Sequence, residues 1–206
     1  MHISILLFDS VDLLDSGGPY EVFLTANRLA ARDGGDAPFE VDTVTLDGEP
    51  VTAYGGLGLI PTASDDVLTR TDLLIVPGTI DLTAPLADQD LLAAIDAVAR
   101  RDGATLASVC TGAFLLHGVG LLADRPWTTH WEDIDSLVER AGPDGARRRV
   151  RWVDSGRVVT GGALSAGIAM ALHLVDRFAG RALAERTAEQ IDYVWTEDST
   201  GGPEAV

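Results

Sequence analysis

Ala104-Thr-Leu-Ala-Ser-Val-Cys110-Thr-Gly-Ala-Phe-Leu-Leu116 is the stretch that decides the fold. An apolar run ends at Cys110, Gly112 follows two positions later, and the apolar spacing then becomes helical. This layout is typical of a nucleophile elbow, in which a buried strand turns sharply into a helix and exposes one side chain at the sheet's edge. Backbone N–H groups at such a turn favour negative charge, so the sequence predicts a Cys110 thiol with a pKa below the usual value of about 8.5. The alternative is a buried cysteine that serves as a small apolar side chain.

Apolar runs on both sides of this stretch predict strands that alternate with helices. Strands are predicted over 3–8, 39–46, 73–78 and 104–109, with a small hairpin over 51–61 and another formed by 149–153 and 157–160. Helices are predicted over 18–32, 91–101, 113–122, 164–178 and 183–194. This alternation predicts a mostly parallel sheet covered by helices on both faces, with ligands bound beyond the carboxyl ends of the strands.

The composition restricts the classes of function. The chain of 206 residues carries 15 basic and 32 acidic side chains, a formal charge of -17. Such a surface repels phosphate backbones and anionic membranes, so we expect neither nucleic acid nor membrane as a partner. One cysteine excludes an intrachain disulfide, and no apolar run reaches the roughly 18 residues of a membrane helix. The start of the chain lacks the basic region of a signal peptide, and we expect a cytoplasmic protein.

Three further side chains are candidates for the site. Asp15 follows the first strand at the same sheet edge as Cys110, where a carboxylate can relay protons; spacing alone favours the alternative of a helix N-cap or Asx turn. Glu21, one turn into the helix predicted to open at Gly18, is expected to be a structural partner of a backbone group or another subunit. His130 can serve as a base or thiolate partner, and an equally supported alternative is a packed histidine between two tryptophans. The histidines and the single cysteine show no metal-ligand spacing, and there is no phosphate loop or dinucleotide fingerprint.

Five motifs together carry a resemblance to a known family. They are Leu14-Asp-Ser-Gly-Gly-Pro-Tyr-Glu-Val-Phe23, Ile75-Val-Pro-Gly78, Ser108-Val-Cys-Thr-Gly-Ala113, Thr128-Thr-His-Trp131 and Arg157-Val-Val-Thr-Gly-Gly162. Through them the chain resembles the DJ-1/PfpI superfamily, in the branch that includes isonitrile hydratases and the sensor domains of some transcription activators. The resemblance implies a flavodoxin-like three-layer α/β sandwich, similar to class I glutamine amidotransferases, and usually a homodimer. We expect a single domain over 1–198 and a flexible tail over 199–206.

The resemblance also implies a reaction and its residues. Isonitrile hydratases match the Asp15 position and the Cys110-Thr111 pair, whereas relatives that are proteases have Cys-His. The implied activity is cysteine-dependent hydration of a small organic isonitrile to an N-substituted formamide, with Cys110, Asp15 and Thr111 as catalytic residues. Backbone N–H groups of Thr111, Gly112 and Gly78 are expected to hold the developing negative charge. No metal or organic cofactor is implied.

Two other functions remain open at this point. Glyoxalase-type relatives add the same cysteine to a 2-oxoaldehyde, but they tend to have Glu at the Asp15 position and another residue after the cysteine. A stand-alone ligand or oxidation sensor of the same fold is the non-enzymatic alternative. Two-domain activators continue into a helix-turn-helix region, and this acidic chain has no basic recognition helix, so we do not expect it to bind DNA by itself.

Overall fold

The centre of the protein is a six-stranded, mostly parallel sheet, seen in a computed structural model that describes residues 1–196 and 199–200. The eight strands are β1 (His2–Leu6), β2 (Glu40–Val44), β3 (Val51–Thr52), β4 (Gly58–Leu59), β5 (Leu73–Val76), β6 (Thr105–Ser108), β7 (Trp152–Asp154) and β8 (Val158–Gly161). Six of them form the sheet in the order β2-β1-β5-β6-β8-β7, in which β7 is antiparallel to β8 and the other pairs are parallel. β3 and β4 form the predicted small hairpin.

Within the described ranges, seven helices cover the sheet. They are α1 (Leu13–Arg32), α2 (Thr83–Ala87), α3 (Gln89–Ala99), α4 (Gly112–Gly118), α5 (Ile134–Ala141), α6 (Ala166–Ala179) and α7 (Arg181–Gln190), with a 3-10 turn over Asp65–Arg70. Successive residues of β5 point to opposite faces, as strand geometry requires. Leu73 and Ile75 pack in the core that α1, α6 and α7 cover, whereas Leu74 and Val76 pack in the core that α3, α4 and α5 cover. The predicted three-layer flavodoxin-like sandwich is confirmed.

The first helix begins earlier than the sequence predicted. We expected it to open at Gly18, but α1 starts at Leu13, and the side chain of Asp12 caps it by accepting the Leu14 N–H at 3.2 Å. The N-cap role considered for Asp15 therefore belongs to Asp12, and Asp15 lies inside the first turn. Pro19 therefore lies beyond the first turn, and its missing N–H removes one backbone hydrogen bond from inside the helix.

Two short helices were not predicted. α2 has five residues, too few for a helical pattern, whereas Ile134, Leu137, Val138 and Ala141 of α5 share one apolar face that the prediction overlooked. The helix predicted to reach residue 122 ends at Gly118, because the chain soon turns at Gly120 with φ +77°. None of the described helices is long and apolar enough to cross a membrane. Most of the expected tail, 199–206, lies outside the described residues; within it, the Ser199 carbonyl accepts the Arg151 N–H at 2.6 Å.

Candidate active site

Cys110 lies at the predicted elbow, two residues beyond the end of β6 and two before α4. Its φ of +57° is in the left-handed region, which a non-glycine residue adopts only where the surrounding structure holds it. Its N–H donates to the Gly162 carbonyl at 2.8 Å, and its carbonyl accepts the Thr129 hydroxyl at 2.8 Å. The loops after β8 and α4 therefore hold the strained turn from both sides.

Two glycines allow the loop after β5 to approach this turn. A Cβ on Gly112 would lie 2.2 Å from the Val76 carbonyl oxygen, so no other residue fits there without a backbone shift. A Cβ on Gly78 would lie 2.6 Å from Thr111 Oγ1 and 2.8 Å from Asp15 Oδ2. The close packing of three chain segments at the sheet's edge thus explains both glycines in the motifs.

Asp15 is fully buried beside Cys110. Its Oδ2 accepts the Gly78 N–H at 3.0 Å, while Oδ1 is buried and has no hydrogen-bond partner of ordinary geometry in the part of the chain that the structure describes. The two side chains interact, since the thiol lowers the pKa of Asp15 and the carboxylate raises the pKa of Cys110. The sequence predicted this neighbourhood, and the structure brings the two groups together.

Burial dominates the electrostatics of the pair. It raises the pKa of Asp15 to about 7, aided by the charge of Asp12, and the Gly78 N–H and the thiol only partly offset this increase. Burial and the Asp15 charge also raise the pKa of the Cys110 thiol, while the N–H groups of Thr111 and Leu164 lower it by less. The predicted low thiol pKa is therefore wrong: the amide groups are present, but desolvation outweighs them. At neutral pH the thiol keeps its proton, and Asp15 can exchange one.

The predicted role of the Thr111 hydroxyl is not what the structure shows. The sequence predicted a catalytic residue, but the hydroxyl donates to the Thr79 carbonyl at 2.7 Å and accepts the Thr79 N–H at 2.8 Å, so it fixes the loop after β5. Two predicted oxyanion donors are also engaged, because Gly112 N–H donates to a carbonyl of the same turn at 3.0 Å and Gly78 N–H donates to Asp15. Of the three predicted donors, the Thr111 N–H is the one that faces the sulfur.

His130 takes the packed role that the sequence analysis left open. Its ring stacks on Trp131 with centroids 5.6 Å apart, its Nδ1 accepts the Glu132 N–H at 3.2 Å, and Asp133 Oδ2 lies 3.4 Å from Nδ1. Among the described residues, none of these contacts joins His130 to Cys110. Glu21 is exposed on α1 and accepts the hydroxyl of Thr25 at 3.0 Å, so its described partner is a side chain; the expected contact with another subunit stays a prediction.

Sequence reasoning missed two residues that contact the elbow. Thr129 supplies the hydroxyl that bonds to the Cys110 carbonyl; it belongs to the Thr-Thr-His-Trp motif, in which His130 was the predicted candidate. Leu164 directs its N–H at the sulfur from a left-handed conformation with φ +36°. Backbone geometry of this kind leaves no signal in the side-chain pattern.

The structure also gathers a group of possible metal ligands that the spacing did not indicate. His2, Glu40 and Asp42 offer ligand atoms within 4.8 Å of one another at the edge formed by β1 and β2. Arg70 already pairs with both carboxylates, at 3.0 Å from Glu40 and 3.8 Å from Asp42. Its guanidinium supplies the positive charge that a cation would bring, so the arrangement is that of an ion-pair cluster.

Comparison with known proteins identifies the family. The family model described as DJ-1/PfpI family matches residues 1–177. The chain belongs to the DJ-1/PfpI family. It is 33% identical over 193 residues to isonitrile hydratase of Pseudomonas putida, covering 94% of this chain and 78% of that protein. It is 30% identical over 191 residues to the HTH-type transcriptional regulator GbdR of Pseudomonas aeruginosa, covering 93% of this chain and 50% of the regulator.

A solved structure agrees with this assignment. The crystal structure of a ThiJ/PfpI family protein from Pseudomonas syringae superposes with a TM-score of 0.80 at 26% identity, covering 93% of this chain and 74% of that one. Relatives of this DJ-1/PfpI chain thus include an enzyme and a transcriptional regulator. Because one fold hosts several functions, the reaction must be argued from Cys110 and its surroundings.

Proposed function

We propose that this chain is a cytoplasmic enzyme that hydrates a small organic isonitrile to an N-substituted formamide, with Cys110 as nucleophile and Asp15 as proton carrier. The observation that carries the proposal is the buried pair itself. A buried carboxylate oxygen with no partner of ordinary geometry among the described residues lies beside the only thiol of the chain, and the Asp15 pKa of about 7 suits an acid–base group at neutral pH. The similarity to isonitrile hydratase supports the same reaction.

The first step forms a carbon–sulfur bond. The ionised Asp15 carboxylate takes the thiol proton as the Cys110 sulfur attacks the terminal carbon of the isonitrile, and it then delivers this proton to the same carbon. The product is a thioimidate, R–N=CH–S, bound to Cys110. The N–H groups of Thr111 and Leu164 stabilise the charge that develops on sulfur during the attack.

The second step adds water and restores the enzyme. Asp15 removes a proton from a water molecule, the hydroxide bonds to the thioimidate carbon, and the proton passes to the nitrogen. The carbon–sulfur bond then breaks as the hydroxyl becomes the formyl carbonyl, and the released proton returns to the Cys110 sulfur. The sum is addition of one water to the isonitrile, without redox change.

The surroundings of the pair favour an uncharged substrate with an apolar substituent. Leu164 lies next to the sulfur through its backbone, and its side chain is half-exposed, as is that of Trp131 in the loop that contacts the elbow. A negatively charged group brought beside buried Asp15 would lose hydration and meet the charge of the carboxylate. An isonitrile carries no net charge and therefore does not meet this cost.

We also propose that the active form is a homodimer, as the resemblance implies. Four large apolar side chains are exposed near the first loop of the sheet's carboxyl edge: Leu13, Leu14, Tyr54 and Ile80. The backbone joins their segments, because Tyr54 N–H donates to the Val11 carbonyl and Val11 pairs with Thr79. Light scattering on the protein as it elutes from a size-exclusion column measures its molar mass. A monomer at micromolar concentration would contradict this part of the proposal.

A ligand sensor is the second candidate, because GbdR is similar over 93% of this chain. An oxidation sensor is less favoured, since oxidation follows exposed thiolates and this thiol is buried and protonated. The chain spans half of the regulator's length, so the sensing proposal is limited to ligand binding by the matched region.

The test incubates purified protein with cyclohexyl isocyanide and measures N-cyclohexylformamide by mass spectrometry. We expect turnover by the wild type, none by Cys110→Ala and a strong loss in Asp15→Asn, while Glu21→Gln, which removes an exposed carboxylate from the same helix, retains activity. Absence of formamide in the wild type, or its formation by Cys110→Ala, would refute the reaction. Lactate from methylglyoxal would identify the glyoxalase alternative, and ligand binding without turnover would identify a sensor.

A further inference from the structure

A cavity of about 200 Å³ lies at the end of the sheet opposite to Cys110. Leu106 is near the start of β6 and Val158 begins β8, so the cavity is at the amino ends of the parallel strands. Ala99 and Leu121 complete an apolar wall, and the polar lining comes from Arg125, Arg157 and Ser155. Four residues of extended chain separate Leu106 from Cys110, or about 13 Å, so this cavity is distinct from the candidate active site.

Arg125 has no charge partner in this cavity. Its Nε is buried without a hydrogen-bond acceptor, and no carboxylate of the described ranges forms an ion pair with its guanidinium. This is unexpected in a chain with 32 acidic and 15 basic side chains, where other arginines pair readily, as Arg177 does with Asp154. A guanidinium that lines a cavity without an ion pair leaves its positive charge for an anionic ligand.

Arg157 holds the rim of the same cavity. Its Nε donates to the Ala104 carbonyl at 3.1 Å, and its Nη2 donates to the carbonyls of Ala99 and Arg101 at 2.9 and 2.6 Å. These bonds fix the guanidinium in place but do not neutralise its charge. The hydroxyl of Ser155 donates to the Val158 carbonyl at 2.8 Å, so its proton is already used and the two arginines are the donors left for an anion.

We propose that this cavity binds a small carboxylate that carries an apolar substituent. The planar guanidinium fork of Arg125 matches a carboxylate, Arg157 adds positive charge, and the four apolar side chains accept the hydrocarbon part. The cavity is smaller than the roughly 300–1,000 Å³ of drug-sized sites, which restricts the ligand to a small acid. A phosphate would require more donors than one free fork provides, and it would leave the apolar wall unused.

The test is isothermal titration of the full chain with sodium benzoate, with sodium phosphate in a parallel arm. We expect benzoate to bind, and Arg125→Gln to weaken its affinity about tenfold or more. Arg28→Gln removes the same charge from an exposed position on α1 and should leave the affinity unchanged. Cys110→Ser should also bind benzoate normally, which separates this site from the proposed reaction.

A second variant keeps the proposal testable if Arg125→Gln fails to fold. Leu121→Phe narrows the cavity without altering either arginine and should weaken benzoate binding while thermal unfolding stays close to that of the wild type. The proposal is overturned if benzoate does not bind at millimolar concentration, if Arg125→Gln and Leu121→Phe bind it as well as the wild type, or if phosphate binds more tightly than benzoate.

Discussion

Replacing Asp15 with asparagine removes the buried charge next to Cys110 while keeping the size of the side chain. The amide oxygen can still accept the Gly78 N–H that now bonds to Oδ2 at 3.0 Å. The variant cannot ionise at this position. It therefore avoids the free-energy cost of a carboxylate in a site that raises the pKa of Asp15 to about 7. Its stability should depend on pH differently from that of the wild type.

The sign and size follow from the two pKa values of the carboxyl group, 3.8 in the unfolded chain and about 7 in the folded one. Between these values the folded state holds a proton that the unfolded state has released, so stability is lost as the pH rises. From pH 5 to pH 8 the free energy of unfolding falls by about 2.5 kcal/mol, because it decreases by about 1.4 kcal/mol per pH unit over the roughly two units below pH 7. The Asp15→Asn variant has no such loss, and the fixed cost of its amide, about 1–3 kcal/mol, cancels in the comparison between pH values.

Urea unfolding of both proteins at pH 5 and pH 8 measures this difference. We expect the wild type to lose about 2.5 kcal/mol more than Asp15→Asn between the two pH values. Glu21→Gln is the control for the loss of one negative charge from α1, since Glu21 is exposed. If the free energies of unfolding of the wild type and Asp15→Asn ran parallel with pH, the raised Asp15 pKa would be refuted, and with it the proposed proton carrier.

Three further predictions concern the elbow. The rate of Cys110 alkylation by iodoacetamide should have its pH midpoint above the value of about 8.5 for free cysteine, and Asp15→Asn should lower that midpoint. Mass spectrometry over time measures the rate. A wild-type midpoint below about 8.5 would contradict the buried, protonated thiol. Thr129→Val removes the 2.8 Å hydrogen bond to the Cys110 carbonyl and should lower the free energy of unfolding in urea by about 1–2 kcal/mol. An unchanged free energy of unfolding would mean that the left-handed turn is held without this hydrogen bond. Gly78→Ala places a methyl carbon 2.8 Å from Asp15 Oδ2 and should reduce isonitrile turnover about 100-fold. The control is Gly17→Ala, whose Cβ meets nothing within 4 Å and which should keep wild-type turnover. Equal activity of the two variants would refute the close packing.

The sequence by itself determined the order of the strands and of the longer helices, without α2 and α5, and the position of the elbow. Both depend on local patterns: apolar runs mark the buried strands, and the Thr-Gly after Cys110 marks a tight turn into a helix. The family motifs added the expectation that Asp15 lies near Cys110. Boundaries such as the start of α1 were missed by about one turn, because Asp12 and Asp15 are equally suited to cap a helix and only the packed structure distinguishes them.

Only the tertiary structure decided the protonation of the site and the partners of its residues. Gly78 and Asp15 are 63 positions apart, Thr111 and Thr79 are 32 apart, and their hydrogen bonds exist because parallel strands end at one edge of the sheet. The thiol pKa depends on a balance between amide groups, which the turn supplies locally, and desolvation, which every segment packed over the elbow contributes. A sequence pattern reveals the first of these effects and not the second, because burial is a property of the whole packed chain.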